Sequence, residues 1–277
     1  MVGVVVAVVM VMVGMVVGQF TCPWSRPLSM GDTGKDVYIT QLLLSRSPFV
    51  SGISLNFDFD SQTEQALRAF QTGNNLTESG TLDPDTANLL YKLHYADGYK
   101  DDGTFPEGYL YKIHIEVSSD RNKETVGYLY DTNGTLLYNF PARLHGVEGR
   151  NQYCSNGDTI TGLFKIDLNT PEPEPKVYGP YPINRLVEGL EGNAKYLYWN
   201  NETTLRRGIL LHTGEWANWH PPLPMPNSDG CIHTWPDSCN AIWKILTSIG
   251  VQIRTNTLGD LPYPYEPQGI ISIEQVD

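Results

Sequence analysis

The chain has 277 residues, with 19 Lys and Arg against 31 Asp and Glu, a formal charge of −12, and 18% charged residues in all. Its 40% apolar share argues against disorder, its 4 cysteines are too sparse for a disulfide-dense miniprotein, and its 26 glycines carry no collagen period. The net negative charge disfavours nucleic acid as a partner, which leaves one or two globular domains with sizeable cores.

Residues 1–18 contain only Met, Val, Gly and Ala, and no charge precedes Arg26. This run is at the lower limit for a membrane span, which makes an uncleaved anchor the alternative reading. Val16-Val17-Gly18 then offers small residues for cleavage, so 1–18 is expected to be a signal peptide and 19–26 a leader. No second apolar run follows, so no membrane segment is expected after cleavage. A secreted, extracellular or cell-wall-side location follows. Sequons at Asn75, Asn133 and Asn201 are candidate glycosylation sites if the host uses them. An exported chain keeps Cys22, Cys154, Cys231 and Cys239 in an oxidising setting, and their pairing is open.

Residues 27–93 read as a small helical domain. Val37, Leu42, Leu43 and Leu44 form an apolar stretch after Gly31-Asp32-Thr33-Gly34. Ser61 and Glu64 have the spacing of a capping box, opening a helix with Ala66, Leu67 and Phe70 on one side. Asp83-Pro84 predicts a third helix, with Asp as cap and Pro in the first turn, followed by Ala87, Leu90 and Leu93. These residues resemble the peptidoglycan-binding domain that accompanies many cell-wall enzymes. The match runs through Gly31, Gly34, Val37, Thr63, Ala66, Phe70-Gln71, Gly80 and Asp83-Pro84-Asp85-Thr86. It departs at Asn56-Phe57, where the family usually has Asp-Gly, and at Leu67, where Val is common. The resemblance implies a three-helix domain and a peptidoglycan or muropeptide partner.

Residues 94–108 are polar and Gly-containing, and read as a linker. The period then changes to two. Tyr111, Ile113, Ile115 and Val117 alternate with polar residues, and Val126, Tyr128 and Tyr130 alternate again. Asn133-Gly134 predicts a hairpin turn. Strands are expected at Leu163–Leu168, at the buried run Gly208–His212 and at Val251–Arg254, with one late helix after Pro236. The stretch from Pro171 to about Gly192 reads as a surface loop. The expected domain spans 109–256 and is mostly β, with 257–277 as a C-terminal tail.

The chemistry concentrates in His212 and in Ser228-Asp229-Gly230-Cys231-Ile232-His233. A Gly before Cys permits a tight turn that presents sulfur and backbone N–H groups to one space. An imidazole nearby can take the thiol proton and return it to a leaving amine. Two other readings stand beside this one. One takes Cys231 as half of a disulfide, with Cys239 as the candidate partner, in a non-catalytic wall-binding protein. His212, His220, Cys231 and His233 are also zinc-type ligands, although their spacing fits no compact motif.

These residues resemble the active-site signature of the L,D-transpeptidase (YkuD-type) catalytic domain: His, a spacer, then Ser/Thr-x-Gly-Cys. Gly157 to Ile166 resembles that family's T-P-x-G-x-F strand, with Ile160 in place of Pro. The resemblance implies an L,D-transpeptidase-like β-sandwich and a cysteine acyltransferase or peptidase acting on peptidoglycan stem peptides, without a cofactor or metal. It makes Cys231 the nucleophile, His212 the base and acid, and the Thr213 backbone the group that orients the imidazole. Gly230 and Cys231 N–H groups would face the oxyanion. Ser228, His233 and Trp216 are candidate substrate contacts. Asp229 stands where His is frequent, and His233 where Arg or Asn is usual. A monomer is expected.

Overall fold

The computed structural model describes residues 18–199, 205–214, 224–255 and 262–277. The proposed signal segment, Asn201, Trp216 and His220 lie outside the described residues, Gly18 excepted.

Three helices form the N-terminal unit: α1 (Lys35–Leu44), α2 (Ser61–Gly73) and α3 (Pro84–His94). The expected Ser61 capping box is not used. Asp60 caps α2 instead, its carboxylate accepting from the Thr63 N–H at 2.8 Å, which places Ser61 inside the first turn. Glu64 then pairs with Arg68 one turn on, at 2.6 Å. Asp83 caps α3 as expected, accepting from the Thr86 N–H at 2.8 Å with Pro84 in the first turn. Leu93 is exposed, and Thr86 joins Ala87 and Leu90 on the buried face.

Two buried amides knit this unit together. The Gln41 side-chain amide donates to Asp58 O and Thr63 Oγ1, both at 2.9 Å, and to Asn56 Oδ1 at 2.8 Å. Gln71 donates to Thr81 O at 3.0 Å and accepts from the Gly80 N–H at 2.9 Å. Satisfied amides of this kind specify one loop arrangement around the apolar core. Phe57 has φ +66°, a left-handed conformation at the position where the family pattern has Gly. That backbone costs a non-glycine about 1–2 kcal/mol. The Phe57 ring lies 4.5 Å from the Tyr38 ring in a stacked pair, which offsets part of the cost.

Neither the leader nor the linker is loose. Trp24 is buried and donates from Nε1 to Thr40 Oγ1 at 2.9 Å. Cys22 forms a disulfide with Cys154, across 132 residues. Residues 94–108 form a strap over the sheet. Asp97 accepts from Thr161 Oγ1 at 2.8 Å and from the Asn193 N–H at 2.6 Å. Asp101 meets Lys112 Nζ at 2.6 Å and His114 Nδ1 at 3.0 Å. Burial opposes the Asp101 charge, but the His114 and Lys112 contacts and the Gly103 N–H prevail and hold its carboxyl well below the usual range. Arg46, just past α1, donates to His94 O at 3.0 Å, Tyr153 OH at 2.9 Å and Asn193 Oδ1 at 2.6 Å, docking the helical unit on the β domain.

The β domain is mostly strand with a late helix, as expected. The strands are β1 (Tyr111–Val117), β2 (Thr125–Asp131), β3 (Leu136–Ala142), β4 (Gly162–Asn169), β5 (Ile183–Glu191), β6 (Leu210–His212), β7 (Ile232–His233) and β8 (Gly269–Gln275). Among the described residues they form one sheet in the order β3-β2-β1-β8-β4-β5-β6-β7. Its two edges meet: Arg143, directly after β3, exchanges both backbone hydrogen bonds with His233 of β7, each 3.0 Å. Thr234 seals the seam, donating from Oγ1 to Pro141 O at 2.6 Å. The helices of this domain are α4 (Pro175–Tyr178), α5 (Gly192–Leu197) and α6 (Pro236–Ser248).

Three sequence expectations need correction. The C-terminal segment 257–277 is not a tail, because β8 lies between β1 and β4, parallel to the first and antiparallel to the second. Ile270, Ile271 and Ile273 are buried, and the Tyr111 ring covers Gly269 so closely that a Cβ there would meet it at 2.4 Å. The Pro171–Gly192 stretch is not a loop throughout, since β5 pairs with β4 along its length. Its period is hidden because Asn184 and Arg185 are buried beside Leu186 and Val187, and two register shifts interrupt the ladder. Val251–Arg254 makes only a single bridge, Arg254 to Asn169. The Asn133-Gly134 hairpin forms as expected, joining β2 and β3 with Gly134 at φ +74°.

Candidate active site

β6 and β7 run parallel, with His212 opposite His233. Between them in the chain lies the turn Ser228–Asp229–Gly230, which delivers Cys231 to the start of β7. Gly230 has φ +110°, and a Cβ on it would fall 1.9 Å from Arg206 Nη2 and 3.0 Å from Gly157 O. Both the backbone conformation and the crowding demand glycine.

Ser228 braces this turn. Its Oγ donates to Cys231 O at 2.8 Å and accepts from the Gly230 N–H at 2.9 Å, and its own N–H donates to His145 O at 2.9 Å. The Gly230 N–H expected at the oxyanion is thus engaged within the turn. Thr159 Oγ1 donates to Gly230 O at 3.0 Å from the other side.

Cys231, His212, His233 and Ser228 line one cleft of about 310 Å³, with Asp229, Asn227, Val147, Val177 and Tyr178. Thr213 adjoins it through its carbonyl. That oxygen lies 2.7 Å from His212 Nδ1, so Nδ1 carries the proton and Nε2 is left as the basic atom of the neutral ring. The His233 ring stands edge-on to His212 at 4.8 Å between centroids, and its Nδ1 donates to Pro226 O at 2.8 Å. Tyr178, at the end of α4, lies 5.2 Å from His212 between ring centroids.

Burial sets the protonation states. Desolvation, helped by the neighbouring His233, lowers His212 to about 3. Desolvation also lowers His233 to about 4. Cys231 is pushed up to about 11 by desolvation, against the pull of the Leu210 N–H and the Arg206 charge. The partly exposed Sγ contacts Gly208 O at 3.8 Å. Burial therefore favours the neutral thiol and the neutral imidazoles in this cleft.

The cysteine pairing excludes the disulfide alternative for Cys231. Cys22 and Cys154 are bonded with Cα atoms 5.9 Å apart, while Cys231 and Cys239 are free. Cys239 sits on the buried face of α6 and is raised to about 12 by burial. Among the described residues no three His, Cys, Asp or Glu side chains are grouped to hold a metal. Trp216 and His220 cannot be placed against the cleft because they lie outside the described residues. Asn75 and Asn133 are exposed, in a turn after α2 and in the β2–β3 hairpin.

Sequence reasoning missed Arg206, His145 and Tyr178. Arg206 had a detectable signal: two arginines directly before the buried run of β6. His145 lies between two carboxylates, 3.0 Å from Asp158 and 3.1 Å from Glu148, while its carbonyl holds Ser228.

Comparison with known families places these features. The model described as the L,D-transpeptidase catalytic domain (YkuD) matches residues 88–255, more than half of the chain. The chain belongs to that family. A putative peptidoglycan-binding domain model matches residues 33–90, so the L,D-transpeptidase domain follows directly on a peptidoglycan-binding domain. Peptidoglycan is accordingly its partner class. No curated protein matches the sequence. Similar solved structures include an L,D-transpeptidase from Xylanimonas cellulosilytica at 18% identity, covering 91% of this chain and 98% of that one, with a TM-score of 0.29. An L,D-transpeptidase from Stackebrandtia nassauensis is 12% identical, with 89% and 94% coverage and a TM-score of 0.31. A fused Zn-dependent amidase/peptidase/peptidoglycan-binding protein from Clostridium acetobutylicum is 16% identical, with 90% and 99% coverage and a TM-score of 0.27. The transpeptidase-domain match ends at 255, before β8.

Proposed function

We propose that the protein is a secreted cysteine acyltransferase that cleaves the L,D bond of peptidoglycan stem peptides through a Cys231 thioester. The observation that carries this reading is the His212 tautomer: Nδ1 is tied to the Thr213 carbonyl, and Nε2 is left basic in the cleft that holds Cys231. His212 Nε2 takes the thiol proton as Sγ attacks the carbonyl carbon of the third stem residue. The oxyanion is assigned to the Cys231 N–H. Collapse breaks the C–N bond, His212 gives its proton to the departing D-amino acid amine, and a thioester remains. An acceptor amine then attacks the thioester and gives a proton to His212, the C–S bond breaks, and His212 passes that proton to the departing Cys231 thiolate; water in the same role gives hydrolysis.

Export is supported by the uncharged apolar start of the chain and by the Cys22–Cys154 bond, since such bridges persist in oxidising compartments. Exposed Asn75 and Asn133 are proposed glycan acceptors, tested by glycan mapping of the purified protein. In that case the host is eukaryotic and its target is foreign wall material.

Incubation with tetrapeptide muropeptides is expected to release D-Ala and leave an acyl adduct on Cys231, seen by mass spectrometry. Neither should occur with Cys231→Ala. An unmodified Cys231 and no released D-Ala from the wild-type protein would sink the proposal.

A further inference from the structure

Arg206 is a buried cation with an unusual set of partners. Nη1 donates to Gln152 O at 3.1 Å and to Asp158 O; Nη2 donates to Gly157 O at 2.9 Å and reaches Asp229 O at 3.4 Å. All are backbone carbonyls. Among the described residues no carboxylate lies within ion-pairing distance of it. The guanidinium is pressed against the Gly230 Cα, where even a methyl group would collide with Nη2. A buried charge is normally retained only when paired, so this one calls for a counter-ion that forms during function.

We infer that Arg206 is a positioning residue for the acyl transfer: pinned beneath the Gly230–Cys231 turn, its guanidinium supplies the countercharge of the Cys231 thiolate as His212 takes the proton. This rests on the reading of Cys231 as nucleophile. The surrounding charges leave this task to Arg206. Arg185 also pulls on the thiol but is ion-paired with buried Glu172. Asp229 opposes thiolate formation. The Asp158 carboxylate is bound to His145 and to the Gly146 N–H, both at 3.0 Å. His212 is neutral, and burial raises the Tyr178 and Tyr198 phenols, so neither tyrosine adds charge. Arg206 itself is lowered by burial to about 10, with Cys231 the first of the groups that favour its charge, and it stays cationic at neutral pH.

The planar fork explains why arginine stands here. It spans the carbonyls of the 152–158 loop and of Asp229 at once, which a lysine ammonium cannot do. The same contacts set the height of the turn, and the loop is anchored by Cys154 to Cys22.

The test is alkylation of Cys231 by iodoacetamide between pH 7 and 10, in a Cys239→Ser background so that one thiol reacts. Removing a close positive charge raises a thiol pKa by about one to three units. Each unit lowers the thiolate fraction tenfold but raises its nucleophilicity, for a net loss of about threefold in rate at fixed pH. Arg206→Gln is expected to move the profile upward and slow alkylation about 3- to 30-fold, with Arg206→Lys in between. An unmoved profile in Arg206→Gln overturns the inference, as does an equal shift in both variants, which would mean bracing without charge. If Arg206→Gln does not fold, the Arg206 guanidinium nitrogen resonances in the wild-type protein are followed instead. They should shift as Cys231 ionises and not do so in Cys231→Ala; the same response in both overturns the inference. Alkylation uses no muropeptide, so normal alkylation with no D-Ala release would defeat the proposed function separately.

Discussion

The helical unit and the β domain are held by opposite means. In the helical unit the decisive contacts are near in sequence: Asp60 caps its own helix, Asp83 caps the next, and Gln71 binds Gly80 nine residues away. In the β domain the decisive contact is remote, since Tyr111 of β1 pairs with Gly269 of β8. Local order survives local damage, whereas a sheet whose last strand joins its two halves stands or falls as a whole. The two regions meet at Arg46, at the Asp97–Asp101 strap and at the Cys22–Cys154 bond.

The sharpest way to break that contrast is to end the chain before residue 269. β1 and β4 would lose their shared neighbour, exposing Ile113, Ile115, Phe164 and Ile166. The β domain is expected to lose its cooperative thermal transition and near-UV signal, while α1–α3 keep their helical signal by circular dichroism. Retention of the β transition would show that β8 is dispensable.

Removing the joint should cost less. Cys22→Ser with Cys154→Ser opens a loop of 132 residues and is expected to cost about 2–4 kcal/mol in denaturant unfolding. A loss below about 0.5 kcal/mol would mean that Arg46 and the strap hold the units without the bond.

Acid probes the cleft itself. His212 at about 3 and His233 at about 4 lie below the ordinary value of 6.5 because burial disfavours their charged forms. The unfolded chain therefore binds more protons than the folded one below pH 6.5. The stability these rings contribute is complete above 6.5. It is lost at about 1.4 kcal/mol per pH unit per ring as the pH falls towards 4. The Tm should drop more steeply from pH 7 to 4.5 in the wild-type protein than in His212→Gln/His233→Gln, and parallel slopes would refute the account.

The smallest effect belongs to a cap. Asp60→Ala removes the acceptor for the Thr63 N–H and is expected to cost about 1 kcal/mol by chemical denaturation. Ser61→Ala should cost a few tenths at most, reversing the ranking that a Ser61–Glu64 capping box would give.

Much of the helical unit was legible because its signals are local. Asp83-Pro84 starts α3, and Ala66, Leu67 and Phe70 make the buried stripe of α2. The one error in capping came from two adjacent candidates, Asp60 and Ser61, between which only backbone geometry chooses. In the β domain alternation exposed β1 and β2, and Asn133-Gly134 exposed the hairpin that joins β2 to β3. β5 stayed hidden because buried Asn184 and Arg185 imitate a polar loop, and β8 because seven residues beyond a Pro-containing stretch look like an end. The cleft was legible at Cys231, His212 and Ser228 through their resemblance to a family signature. Arg206 was not, because its signal, two adjacent arginines before β6, does not say which of them packs against the Gly230 turn.

Residue order alone determined the two units, the late helix and the Gly-Cys turn, because caps, periodicity and a tight turn are written in neighbouring residues. Tertiary structure alone decided which cysteines bond, that the last strand is central, that the Gly230 N–H is engaged by Ser228, and that a buried guanidinium packs against the Gly230 turn. Each of those depends on residues distant in sequence being brought within a few ångströms, where burial and charge turn proximity into chemistry.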